Sequence, residues 1–113
     1  MKASELRIGN LVLDAFGDIC DIDFIRICNV EKMKLQPIPI TEEWLLKFGF
    51  RKDGMYYENA HLQLSKIISK NGYDCYCTDL DFSVFMTELE HIHQLQNLYF
   101  ALTGEELTLN DKI

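Results

Sequence analysis

No run of apolar residues in this sequence approaches the roughly 20 that a membrane-spanning helix requires, so no membrane partner is expected. The opening residues MKASELRIGN hold no apolar stretch of the kind that drives secretion, which makes the cytoplasm the expected compartment. Basic residues are scarce: 11 lysines and arginines stand against 18 carboxylates, for a net charge of −7. Only Arg7, Arg26 and Arg51 are arginines, and no lysine–arginine cluster runs along the chain. Counterion release from a phosphate backbone needs such a cluster, so direct nucleic-acid binding is not expected. An acidic surface suits solubility and basic protein partners instead. The glycine patterns of phosphate loops and dinucleotide folds are missing, as is the G-x-S-x-G nucleophile turn. Nothing in the spacing selects a Cys–His catalytic pair. No catalytic residue, metal ligand or cofactor is assigned, and the expected class is a binding protein rather than an enzyme.

What is present is enough for one domain over 1–113. At this length, with 48% hydrophobic and 26% charged residues, a chain buries a core without metal or disulfide staples. Its four cysteines, Cys20, Cys28, Cys75 and Cys77, are expected to be reduced in a cytoplasmic setting. Cys75-x-Cys77 is tighter than a C-x₂-C zinc knuckle, and Cys20 and Cys28 lie eight positions apart. A strand would point Cys75 and Cys77 to one face, as two small core residues. Asp21-x-Asp23 and Asp79-x-Asp81 each set two carboxylates on one strand face, an arrangement that can hold Mg²⁺. No third ligand joins either pair at a telling spacing.

Residues 6–38 read as strand-rich. Gly9-Asn10 and Gly17-Asp18 are turn dipeptides, and Cys20, Ile22 and Phe24 alternate with Asp21 and Asp23 as in a half-buried strand. IRICNV and MKLQPI read as further short strands. In PIPITEEWLLKFGF, residues 37–50, the prolines hold an extended approach. Thr41 is placed as N-cap, Glu42 and Glu43 lie where the helix dipole favours acid, and Gly49 is placed as the left-handed stop. That register lets Leu45 touch both Ile40 and Phe50. Residues 55–88 return to strands, with turns near Glu58-Asn59 and at Asn71-Gly72. There Tyr73, Cys75 and Cys77 alternate with Asp74, Tyr76 and Thr78.

HIHQLQNLYFALTGEEL, residues 91–107, carries a stripe of Ile92, Leu95, Leu98, Tyr99 and Leu102 at about 100° per residue, stopped by Thr103-Gly104. His91 and His93 sit roughly 200° apart on that helix and cannot share a metal. Phe100 falls off the stripe, near His93 and Gln96 with Asn97 beside them. It either packs on a second element or sits in a polar, exposed patch of the kind that binds proteins. The expected fold is α+β. A small curled antiparallel sheet carries a short two-turn helix over 41–48 and a longer amphipathic helix over about 90–103, followed by a short tail at 108–113.

Residues 6–17, which contain LRIGNLV, residues 37–50 and HQLQNLYFALTGEEL resemble segments of small uncharacterised proteins of Bacteroidetes phages and integrated mobile elements. Residues 51–91 lie outside the resemblance, and EHIH departs from the aromatic–valine pair expected before HQLQNLYFAL. Those proteins have no established activity, so no catalytic residue transfers. The resemblance implies a phage setting, and with it host manipulation or anti-defence activity, anti-CRISPR activity included. The expected function is a non-enzymatic inhibitor of a host defence protein or ribonucleoprotein with a basic surface, an RNA-guided nuclease being one candidate. The alternative is a structural or adaptor module that self-associates, for instance as a homodimer. The residues expected to meet the partner are Phe100, His93, Gln96, Asn97, Asp21, Asp23 and Tyr76.

Overall fold

The computed structural model describes residues 1–78 and 83–109, so the Asp79-x-Asp81 pair lies outside the described residues. The fold is mixed α+β, with one two-stranded and one five-stranded antiparallel sheet and a helix near the C-terminus. Strand β1 (Leu11–Leu13) pairs with β2 (Ile19–Asp21), Val12 opposite Cys20. Asp14 builds the turn between them. One of its carboxylate oxygens accepts the N–H groups of Phe16 at 2.8 Å and Asp18 at 2.9 Å, the Asx geometry that substitutes for a backbone turn. Val12 and Ile22 then join Leu6, Val30 and Leu35 in a small hydrophobic cluster.

Residues 24–36 do not continue as strands. Asp23 caps a short helix, α1 (Phe24–Cys28), by accepting the Arg26 N–H at 2.8 Å. The period-two alternation therefore breaks at Phe24, which is 72% exposed. A capping aspartate satisfies an otherwise orphaned N–H, and here that local bond outweighs the β-propensity of Ile25 and Ile27. MKLQPI is no strand either. A helical turn closes at Lys34, and Gln36 alone pairs, bridging to Leu13 through bonds of 2.8 and 2.9 Å.

PIPITEEWLLKFGF folds as its residues predict, though its helix α2 (Glu42–Lys47) is six residues, short of two full turns. Thr41 accepts the Trp44 N–H at 3.4 Å. Gly49, at φ 88°, donates to the Leu46 carbonyl, and Phe50 donates to the Leu45 carbonyl, both at 3.0 Å. These two bonds form a Schellman stop. Leu45 is fully buried in one cluster with Ile40 and Phe50.

The five-stranded sheet is a meander in the order β3 (Arg51–Asp53), β4 (Tyr56–Glu58), β5 (Leu62–Lys66), β6 (Tyr73–Cys77), β7 (Val84–Leu89). Strand β3 escaped the sequence pattern because its three residues, Arg-Lys-Asp, are all charged and exposed and so carry no alternation. The expected turn at Asn59 is built by its side-chain oxygen, which accepts the N–H groups of His61 and Leu62 at 2.9 and 2.8 Å. Leu62, Leu64 and Cys75 turn inward to the main core.

Helix α3 (Ile92–Thr103) closes that core with Ile92 and Leu95, while Leu98, Tyr99 and Leu102 pack at its margin. Its entrance is tied to the proline segment: Ile40 donates to the Glu90 carbonyl at 3.0 Å, and Ile92 to the Ile38 carbonyl at 2.8 Å. Gly104, left-handed at φ 74°, ends the helix by donating to the Phe100 carbonyl at 2.8 Å. The stripe and stop read from the sequence match this helix.

Candidate functional site

The helix residues expected to form an exposed patch divide sharply. His93 and Gln96 are each only 3% exposed, so neither is available to a partner. Gln96 Oε1 accepts the Leu11 N–H at 2.8 Å and lies 3.5 Å from the Asn10 side-chain amide. Asn97 accepts from Asn10 Nδ2 at 2.8 Å and Arg7 Nε at 3.1 Å, and donates to the Glu5 carbonyl at 3.0 Å. Arg7 adds a bond to the Gln96 carbonyl at 3.3 Å, an ion pair with Glu106, and a guanidinium stacked 4.3 Å from the Phe100 ring centroid. Phe100 is therefore half covered, at 39% exposure. Most of the amide-rich patch is an internal clasp between the strand entrance and α3. A buried polar network of this kind specifies one arrangement only when its members are satisfied.

The two histidines stack, ring centroids 5.8 Å apart and planes within 7°, against the roughly 200° separation expected on a helix, because His91 is the extended N-cap of α3 and lies outside the helical wheel. His93 is held below the ordinary imidazole range, first by burial and then by the neighbouring His91, with Glu5 opposing. Its Nδ1 has no hydrogen-bond partner among the described residues. The cysteines separate: Cys75 sits in the main core and Cys20 packs on the small cluster. Burial pushes the Cys75 thiol up to about 12 and also raises that of Cys20. Among the described residues, no three His, Cys, Asp or Glu side chains come together around a common point.

Asp23 is committed locally, capping α1 and pairing with Arg26 at 3.0 Å. Asp21 is exposed at the end of β2, on the rim of a groove of about 750 Å³ between the hairpin and the residues after α3. Ile8, Ile19 and Leu109 line that groove with Glu106.

Tyr76 leads to a surface that the sequence only hinted at. Strand register sets Glu58, Gln63, Tyr76 and Phe85 in one row on the outer face, with Tyr56, Ser65, Asp74 and Glu88 in the next. Tyr76 and Phe85 meet edge to face at 5.6 Å and 70°. The register slips between Cys75 and Tyr76, because Cys75 faces Thr87 while Tyr76 faces Phe85. Met86 is the extra residue of this β-bulge. A bulge re-aims side chains, and here Phe85 and Met86 both emerge, 52% and 38% exposed. The available signal was the failed alternation in VFMTEL, where two large apolar residues stand side by side.

No protein-family model matches this chain, and no curated protein or solved structure shows significant similarity to it.

Proposed function

We propose that this chain acts by surface contact rather than turnover, as a phage or mobile-element accessory protein that binds and inhibits a host defence protein in the host cytoplasm. One observation carries the reading: the outer sheet face sets Tyr76, Phe85 and Met86 within a charged rim of Asp74, Glu58 and Glu88, the last two paired with Arg51 and Lys70. Exposed aromatic and methionine anchors inside a polar rim are the anatomy of a protein-binding surface. A net charge of −7 favours a basic partner. RNA-guided nucleases carry strongly basic channels for guide and target, which makes them the leading partner class. The resemblance of residues 6–17, 37–50 and 92–107 to mobile-element proteins supports the setting. Mixing the protein with a panel of effector–guide complexes on a sizing column tests the reading. Co-elution that weakens as salt rises supports it, and failure to co-elute with every member removes it.

A second reading, self-association, is favoured by β7. Among the described residues this six-residue strand pairs only with β6, leaving its other edge open beside Phe85 and Met86. Such an edge is a template for a second copy. Light scattering decides: a stable dimer that Phe85→Ser dissociates favours self-association, and a monomer at high concentration dismisses it.

A further inference from the structure

An acidic chain would be expected to repel anions, yet one concavity runs against that trend. It measures about 430 Å³ and lies between the β1–β2 turn and the loop after α1. Arg26, Lys32 and Lys34 line it with Phe16 and Met33, and Asp14 is the one carboxylate among the lining residues. Asp23 neutralises Arg26 at 3.0 Å, which leaves Lys32 and Lys34 as the two cations that set this concavity against the acidic balance of the chain. Lys32 and Lys34 make no ion pair within the described residues. Arg26 uses Nη1 for Asp23 and the Asp21 carbonyl, and its Nε is buried, so Nη2 is the part of this guanidinium left to face the concavity.

Two features of backbone and turn set this concavity apart from a chance gathering of lysines. The first is Lys34. It is the one non-glycine residue with positive φ among the described residues, at 53°. Its N–H donates to the Glu31 carbonyl at 3.1 Å, and that of Leu35 to the Val30 carbonyl at 3.2 Å. That is the Schellman pattern again, with lysine where Gly49 stands in α2. Glycine adopts this conformation without the Cβ clash that lysine must absorb. A strained residue kept at a position where another would relax the chain points to a use for its side chain. The second feature is Phe16, 90% exposed at the tip of a turn whose backbone is fixed by the Asp14 carboxylate. A flat apolar ring held out on a rigid turn is a stacking platform.

We infer that this concavity binds a nucleoside monophosphate, its phosphate held among Arg26, Lys32 and Lys34 and its base stacked on Phe16. Guanidinium and ammonium groups are the usual phosphate ligands, and the volume falls within the range of small-ligand sites. The site involves none of the sheet-face residues of the proposed partner surface, so either can fail without the other.

Calorimetric titration of the full chain with the four nucleoside monophosphates, the matching nucleosides and inorganic phosphate tests the assignment. At least one monophosphate is expected to bind more tightly than both its nucleoside and phosphate, with affinity falling as salt rises. Phe16→Ala should weaken that binding roughly tenfold or more, the loss of one stacked base. Lys34→Gly gives the sharper test, since relief of strain should raise the melting temperature while binding drops about tenfold. The assignment is overturned by no binding of any monophosphate, by phosphate alone binding as tightly, or by Lys34→Gly raising the melting temperature with affinity unchanged.

Discussion

The guanidinium of Arg7 lies 4.3 Å from the ring centroid of Phe100 while the same side chain pairs with Glu106. One residue near the start of the chain thereby holds both the last helix and the segment that follows it. A cation over an aromatic face is worth about 0.5–2 kcal/mol, depending on desolvation. Arg7→Ala also releases the hydrogen bonds to Asn97 and the Gln96 carbonyl. The expected loss is about 1–3 kcal/mol, read as a fall of roughly 4–8 °C in melting temperature for each kcal/mol. Phe100→Ala should cost less in the absence of Arg7 than in its presence. A double-mutant cycle by thermal melting measures that coupling, and additive losses would mean that the stacking contributes nothing.

Asp21 and Asp23 look equivalent in sequence and are not equivalent in the fold. Asp23→Ala removes the α1 cap and should cost about 1 kcal/mol. Asp21→Ala removes an exposed carboxylate with no ion pair among the described residues and should change stability by less than about 0.5 kcal/mol. Chemical denaturation of the two variants measures the difference, and equal losses would refute the capping role.

The contrast shows what was legible in the residues. Helix α2 was readable down to its stop because Thr41, Gly49 and Phe50 act through bonds within one turn of helix. The stripe of α3 was readable for a related reason, since 3.6-residue periodicity records which face is buried. The outer sheet surface was not, because a bulge depends on pairing across strands and leaves only a broken alternation at Phe85-Met86. The clasp escaped notice because Gln96 and Asn97 bond to Asn10 and Arg7, far away in sequence. Wheel geometry grouped Phe100 with polar neighbours correctly, but it carried no information on what would cover them.

His93 makes stability depend on pH. The unfolded chain takes up a proton near the ordinary value of 6.5, whereas the buried imidazole resists it until lower pH. Between those points the unfolded state binds more protons, so stability falls as pH drops below 6.5 and levels off once the folded imidazole is protonated too. His93→Phe should flatten this part of the profile relative to the parent protein. Urea unfolding from pH 7.5 to about 5 measures it, and parallel profiles would show that His93 does not titrate differently in the two states.

Thiol reactivity should follow burial. Cys75 is fully buried with its pKa raised to about 12, and the thiolate is the reactive species. Cys28 is exposed. Brief treatment of the native protein with iodoacetamide, followed by peptide mass mapping, should label Cys28 first and leave Cys75 unmodified until denaturant is added. Early labelling of Cys75 would contradict its place in the core.

The most direct test of the proposed activity compares the parent protein with a Phe85→Ala, Met86→Ala variant in titrations against an effector–guide complex that the parent captures. Both side chains are partly exposed on the bulge, so the variant should stay folded, melting several degrees below the parent through loss of the Tyr76–Phe85 contact. Its affinity should fall by roughly thirtyfold or more if these residues are interface anchors. A folded variant that binds as tightly as the parent would contradict the sheet-face account.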